Sequence, residues 1–182
     1  MKAVMVRYAD DFVVLCRKGQ GKEMQRRLTS WLERRGLKLN GRKTRVVDFE
    51  EDGLEFLGFR LSWRKSMQGK RYPHCEPSPK SCGKPRAAIR EETARSTQWK
   101  EPEEVFARVN RRVRGWIGYF HHANSSRVFG KMQWRMRARM RRWLWKKHAK
   151  TKAQYGRHYC DERLHELYGL IRFPLKTKWR HS

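Results

Sequence analysis

The spacing of apolar positions changes several times along the chain, and each change marks a predicted element. Ala3-Val4-Met5-Val6 and Phe12-Val13-Val14-Leu15 are short apolar runs on either side of Tyr8-Ala9-Asp10-Asp11. Two β-rich runs joined by so short a turn predict an antiparallel hairpin over residues 2–8 and 12–17, with adjacent carboxylates at its tip. Over residues 21–35 the period lengthens. Met24, Leu28, Trp31 and Leu32 fall on one helical face, and Gly36 stands where helices commonly stop. Residues 44–49 and 54–63 are strand-like again, separated by the acidic turn Glu50-Glu51-Asp52-Gly53. The order β-β-α-β-β predicts a sheet with one helix packed on it.

Residues 64–83 are rich in Lys, Arg, Pro, Gly and Ser, which predicts a loop and a domain boundary. A short helix is expected within 84–97, around Ala87, Ala88 and Ile89. Residues 103–123 predict a longer one. Pro102, Glu103 and Glu104 open it, and Val105, Phe106, Val109, Val113, Trp116, Ile117 and Phe120 form one apolar stripe. Residues 127–149 predict another, with Val128, Met132, Met136, Met140, Trp143 and Leu144 recurring every three to four positions. Two such helices joined by a short loop are expected to pair as an antiparallel hairpin. The tail, 153–182, predicts one short helix at 161–170.

Charge adds a partner to this picture. The 182 residues carry 45 Lys and Arg against 18 Asp and Glu, a net of +27. Residues 1–62 hold 14 basic and 9 acidic side chains, whereas residues 63–182 hold 31 and 9. An excess of this size, concentrated after residue 62 and interleaved with tryptophans, points to a polyanion. A solvated charged face is the plainer alternative. Disorder is a second one, opposed by the regular apolar stripes. Between residues 127 and 152 there are eleven Lys or Arg and no acid. Arg111, Arg112 and Arg114 on the first long helix, and Lys131, Arg135, Arg137, Arg139, Arg141, Arg142, Lys146 and Lys147 on the second, are candidate phosphate contacts. Trp134 and Trp145 are candidates to stack on bases, while Trp143 belongs to the apolar stripe.

The four cysteines, Cys16, Cys75, Cys82 and Cys160, have no paired spacing, and no apolar run is long enough to cross a membrane. The expectation is an intracellular, cytoplasmic protein with reduced thiols. His74, Cys75 and Cys82, or His158, Cys160 and His165, invite a zinc reading, but neither set has the spacing of zinc ligands. His121-His122 reads as a helix cap or an RNA contact.

The acidic hairpin carries the candidate chemistry. Adjacent carboxylates repel, so a pair held together calls for a cation, and hard oxygen ligands select Mg²⁺ or Mn²⁺. Two such ions are the usual apparatus of nucleotidyl transfer. A solvated Asp-Asp turn is the ordinary alternative, and the flanking strands tip the balance against it.

Tyr8-Ala9-Asp10-Asp11 in this setting resembles the catalytic hairpin of reverse transcriptases, specifically the reverse transcriptase-maturases encoded by group II introns. The resemblance continues in order through Gly36-Leu37-Lys38-Leu39-Asn40 with Lys43-Thr44, then Phe56-Leu57-Gly58-Phe59, then Arg114-Gly115-Trp116-Ile117-Gly118-Tyr119-Phe120. It implies an α+β chain: a partial polymerase palm at 1–63, a linker and thumb start at 64–101, and a basic helical thumb or maturase domain at 102–182. It implies Asp10 and Asp11 as metal-binding and catalytic residues, with Mg²⁺ as the ion, and Lys43 beside the nucleotide's phosphates. Tyr8 and Ala9 would flank the nucleotide, and Phe56, Leu57 and Gly58 would grip the primer. The partners implied are structured intron RNA, within a ribonucleoprotein, and an RNA/DNA template-primer. In the family a further strand, before this hairpin, donates a third metal-binding Asp. That strand is expected to lie before Met1, so the chain alone is expected to bind Mg²⁺ weakly and not to polymerise. A free-standing RNA-binding maturase, one subunit of a split enzyme that recovers its palm from a partner or by self-association, and a decayed mobile-element remnant are the alternatives.

Overall fold

Tyr8 lies opposite Asp11 in the antiparallel pair of β1 (Ala3–Tyr8) and β2 (Asp11–Cys16), so the connecting turn has only two residues, Ala9 and Asp10. This is the hairpin expected from the two apolar runs, seen in a computed structural model that describes residues 2–148 and 159–177. The chain is α+β and divides into two compact units, Met1–His74 and Cys75–Ser182. The division falls inside the segment expected to link the two parts.

In the first unit the hairpin forms a sheet of two strands only. Every described residue of β1 is exposed, including Val4 at 62% and Met5 at 52%. A two-stranded ribbon by itself is marginally stable in water. Helix α1 (Gly21–Glu33) has the expected apolar stripe but no fully buried residue. Glu23 supports it from within, pairing with Arg26 and Arg27 at 2.8 and 2.7 Å.

Two predicted strands are revised. Residues 44–48 run without strand pairing. Lys18 Nζ holds the Asp48 carboxylate at 2.8 Å. Val46 lies so close to the start of α1 that a Cβ on Gly21 would stand 2.4 Å from its Cγ1. A ladder needs a partner edge, and among the described residues this segment meets none. The single strand expected over 54–63 is instead a hairpin, β3 (Leu54–Phe56) and β4 (Phe59–Lys65), with Phe56 opposite Phe59. Its two-residue turn has φ 49° at Leu57 and φ 80° at Gly58. Positive φ at both positions matches the turn that follows the twist of paired strands, and a glycine takes one of them without strain.

The expected loop at 64–83 contains a further strand, β5 (Arg71–Pro77), reached through a turn in which Ser66 N–H donates to Lys70 O at 2.8 Å. The sheet order β3-β4-β5 puts this strand on an edge, where Pro73 and Pro77 remove no ladder bond that a neighbour needs.

The second unit is helical: α2 (Gly83–Glu92), a 3₁₀ turn at Arg95–Thr97, α3 (Pro102–Phe120), α4 (Ser126–His148) and α5 (Asp161–Glu166). Helix α3 starts at Pro102, which has no N–H to leave unpaired, with Glu103 and Glu104 at the positive end of the helix dipole. Its stripe is buried at Val105, Phe106, Val109, Val113, Ile117 and Phe120. Helix α4 buries Met132, Met136, Met140, Trp143 and Leu144 as expected, and also Phe129 and Gln133. Each large apolar side chain so buried contributes about 1.5–3 kcal/mol.

Helices α3 and α4 follow one another across the short connection 121–125. Helix α2 packs on both, and they meet through rings, with Trp116 and Phe129 centroids 5.3 Å apart. The tail crosses the same cluster. Phe173 lies 6.5 Å from Trp116 and 5.8 Å from Phe129. Asn110 of α3 holds it, donating to Gly169 O and accepting from Ile171 N–H. At its far end Thr177 Oγ1 accepts the Ser125 N–H at 3.0 Å, beside the start of α4.

Candidate nucleic-acid interface

The acidic tip is built from local geometry alone. Ala9 takes φ 51°, a left-handed conformation that costs a residue with a Cβ about 1 kcal/mol or more. Arg7 Nε donates to Ala9 O at 2.8 Å and so fixes the turn from the strand side. Tyr8, Ala9, Asp10 and Asp11 are all exposed. Both carboxylates are therefore open to water, next to a backbone strained at Ala9.

Two carboxylates from one tip do not make a two-metal cage, which needs oxygen ligands converging from several strands. Among the described residues no group of three His, Cys, Asp or Glu stands close enough to hold a metal ion. The residues present thus do not fit a complete Mg²⁺ site. Lys43 is exposed in the turn after α1, where its N–H donates to Asn40 O at 3.0 Å, and it makes no ion pair with Asp10 or Asp11 among the described residues. Phe56, Leu57 and Gly58 are half-buried at the tip of the second hairpin.

The basic candidates of α3 and α4 fall into two groups. Arg112, Arg137, Arg139, Arg141 and Lys147, expected to contact RNA, are engaged by the chain itself. Arg112 pairs with Glu91 at 3.3 Å and with the buried Glu92 at 3.2 Å, tying α3 to α2. Arg137 donates to Asp161 at 2.7 Å, and Arg141 reaches the other oxygen of the same carboxylate and Tyr159 O. Arg139 binds Thr93 Oγ1 at 3.1 Å and carbonyls at the end of α2. Lys147 Nζ donates to Gln98 O and Lys100 O. Burial lowers the pKa of Arg137 and Arg139 from the usual arginine value, the mark of guanidinium groups partly withdrawn from water. Arg111, Arg114, Lys131, Arg135, Arg142 and Lys146 form the other group. They are exposed and have no hydrogen bond or ion pair among the described residues.

Sequence reasoning missed the acceptors. Asp161, Glu92 and Thr93 decide which cations turn inward, yet all lie outside α4. The absence of any acid in 127–152 was a signal that partners for a half-buried stripe had to come from elsewhere.

His165 completes this network. Its Nε2 accepts from Arg137 Nε at 3.1 Å, so Nδ1 carries the proton and donates to Leu170 O at 2.6 Å. Burial, then the charges of Arg137 and Arg172, lower its pKa below the usual 6.5. Above about 6.5 the ring is neutral folded or unfolded and adds no pH dependence. As pH falls below that value the unfolded chain takes up the proton first, so stability declines. Melting followed from pH 7.5 to 5 should show the decline, and His165→Gln should reduce its slope. An identical slope in both proteins would contradict the assignment.

The zinc readings gain no support. His165 has both ring nitrogens engaged, and His158 lies outside the described residues. Burial pushes the Cys75 thiol up to about 11 and raises Cys82 as well. His121 caps α3, its Nδ1 standing 2.6 Å from Gly118 O, with the His122 ring 3.5 Å away. Trp143 is 1% exposed and Trp134 69%, while Trp145 is half-buried.

Among the described residues no helix is long and apolar enough to cross a membrane. A search of curated proteins finds no match. A family model does match, that of the group II intron, maturase-specific domain, over residues 84–160. That span takes in α2, α3 and α4, with the Arg114–Phe120 segment in its middle. The chain thus carries a group II intron maturase-specific domain.

Proposed function

We propose that this protein binds structured group II intron RNA through the exposed cations of its helical unit and assists splicing. On this reading Met1–His74 corresponds to part of a polymerase palm and Cys75–Ser182 to a thumb. The observation that carries it is the set of six cations, exposed and unpaired among the described residues, on two helices within the span that matches a maturase-specific domain. Contacts to phosphate give affinity without reading sequence. Template-primer binding is a second reading, favoured by the exposed Asp10-Asp11 pair beside the strained Ala9. On this reading the chain by itself does not polymerise, since two carboxylates from one hairpin tip make only part of a two-metal cage.

The test is binding of a structured intron RNA across a salt series, with primer extension on an RNA template in Mg²⁺ run alongside. Six phosphate contacts give a log–log slope of about −5 and an affinity loss of about 10³-fold between 50 and 200 mM salt. No primer extension is expected. Salt-insensitive or absent binding would refute the RNA-binding reading. Extension abolished by Asp10→Ala would show that the metal cage is completed in another way.

A further inference from the structure

Trp134 is the least explained large side chain of the helical unit. It is 69% exposed in the middle of α4. Three other tryptophans that are more than a third exposed each carry a cation over the ring: Arg35 lies 3.8 Å from Trp31, Arg71 5.5 Å from Trp63, and Lys100 5.6 Å from Trp99. Trp134 has no hydrogen bond, ion pair or ring contact among the described residues. Its neighbours four positions away along the helix are Gly130 and Ala138, and Arg137, three positions on, is drawn to Asp161. A Cβ placed on Gly130 would meet nothing within 4 Å. Both small neighbours leave the indole uncovered. Lys131 and Arg135, three positions before and one after, are exposed and unpaired among the described residues.

We infer that Trp134 is a stacking platform for an unpaired RNA base, with Lys131 and Arg135 holding the flanking phosphates. This rests on the RNA-binding reading and narrows it to single-stranded or loop RNA. An aromatic face recognises a base only when that base is out of its stack. In an A-form duplex the base faces are covered by their neighbours, and the narrow major groove excludes side chains. A base on an indole contributes affinity whatever its sequence. An apolar protein surface is the other partner an exposed tryptophan suits. Exposed cations one position after it and three before disfavour it, because an apolar surface docked over this stretch of helix would desolvate them without compensation.

The probe is an RNA hairpin with an unpaired loop, compared with the same hairpin carrying abasic loop nucleotides, which keep every phosphate and remove the bases. The wild-type chain should bind the intact loop about tenfold more tightly. Trp134→Ala should bind the two RNAs equally, with the wild-type salt slope, because no phosphate contact is lost. Trp134→Phe should recover part of the preference. Lys131→Gln should instead lower the slope by about 0.7–0.9. Salt-sensitive binding with no preference for the intact loop would overturn the stacking role, leave RNA binding in place and return the indole to a protein partner. A preference that survives in Trp134→Ala would also overturn it. Absence of any RNA binding at low salt would overturn both.

Discussion

Replacing Lys131, Arg135, Arg142 and Lys146 together by glutamine should abolish most RNA affinity and leave the fold intact. All four are exposed and unpaired among the described residues, and surface substitutions of that kind change stability by no more than about 0.5 kcal/mol each. Four lost phosphate contacts should lower the salt slope by about 3.6, so that affinity falls only about tenfold between 50 and 200 mM salt, against about 10³-fold in the wild type. The matched control changes the inward cations Arg137, Arg139, Arg141 and Lys147. Each holds a carbonyl, hydroxyl or carboxylate of the same unit. Removing a charged donor from a half-buried partner costs about 1–3 kcal/mol, so this variant should melt well below the wild type. Affinity titrations and thermal melts on both variants separate the two groups. The division fails if the outward variant unfolds, or if the inward variant stays stable but loses the salt slope.

Sequence alone showed that α4 is basic, but not which of its charges are available to a ligand. That depends on Asp161 and Thr93, which are remote in sequence and carry no pattern. Local chemistry was a better guide where structure is local. The two-residue turn after Tyr8, the proline and acids opening α3, and the stripe from Val105 to Phe120 all appear where spacing put them. Long-range partners decided the rest. Val46 and Val47 read as a strand but have no edge to join. Tyr72-Pro73-His74 read as a loop because of its proline, yet an edge strand tolerates one. The Asp10-Asp11 tip is legible for the same reason as the helices, being a product of its own turn. Completing a metal site there requires groups from elsewhere, and a local pattern cannot supply them.

Trp143→Ala should be the most damaging single change in the helical unit, although Trp134→Ala on the same helix should barely alter stability. Nine residues separate them, which at 3.6 residues per turn is half a rotation. The two indoles therefore leave opposite faces of α4. Trp143 is 1% exposed, and its Nε1–H donates to Thr97 Oγ1 at 3.0 Å. That hydroxyl lies 2.8 Å from Ala94 O and 3.0 Å from Glu92 O, so the indole closes a knot that joins α4 to the end of α2. Emptying the site costs about 3–5 kcal/mol. For a unit of this size that corresponds to a melting-point loss of roughly 15–30 °C. Trp143→Phe keeps much of the volume and loses the hydrogen bond, so its cost should be smaller, about 1–2 kcal/mol. Melting curves for the three variants give the answer directly. A large drop for Trp134→Ala, or none for Trp143→Ala, would mean that the inward and outward faces of the helix have been exchanged.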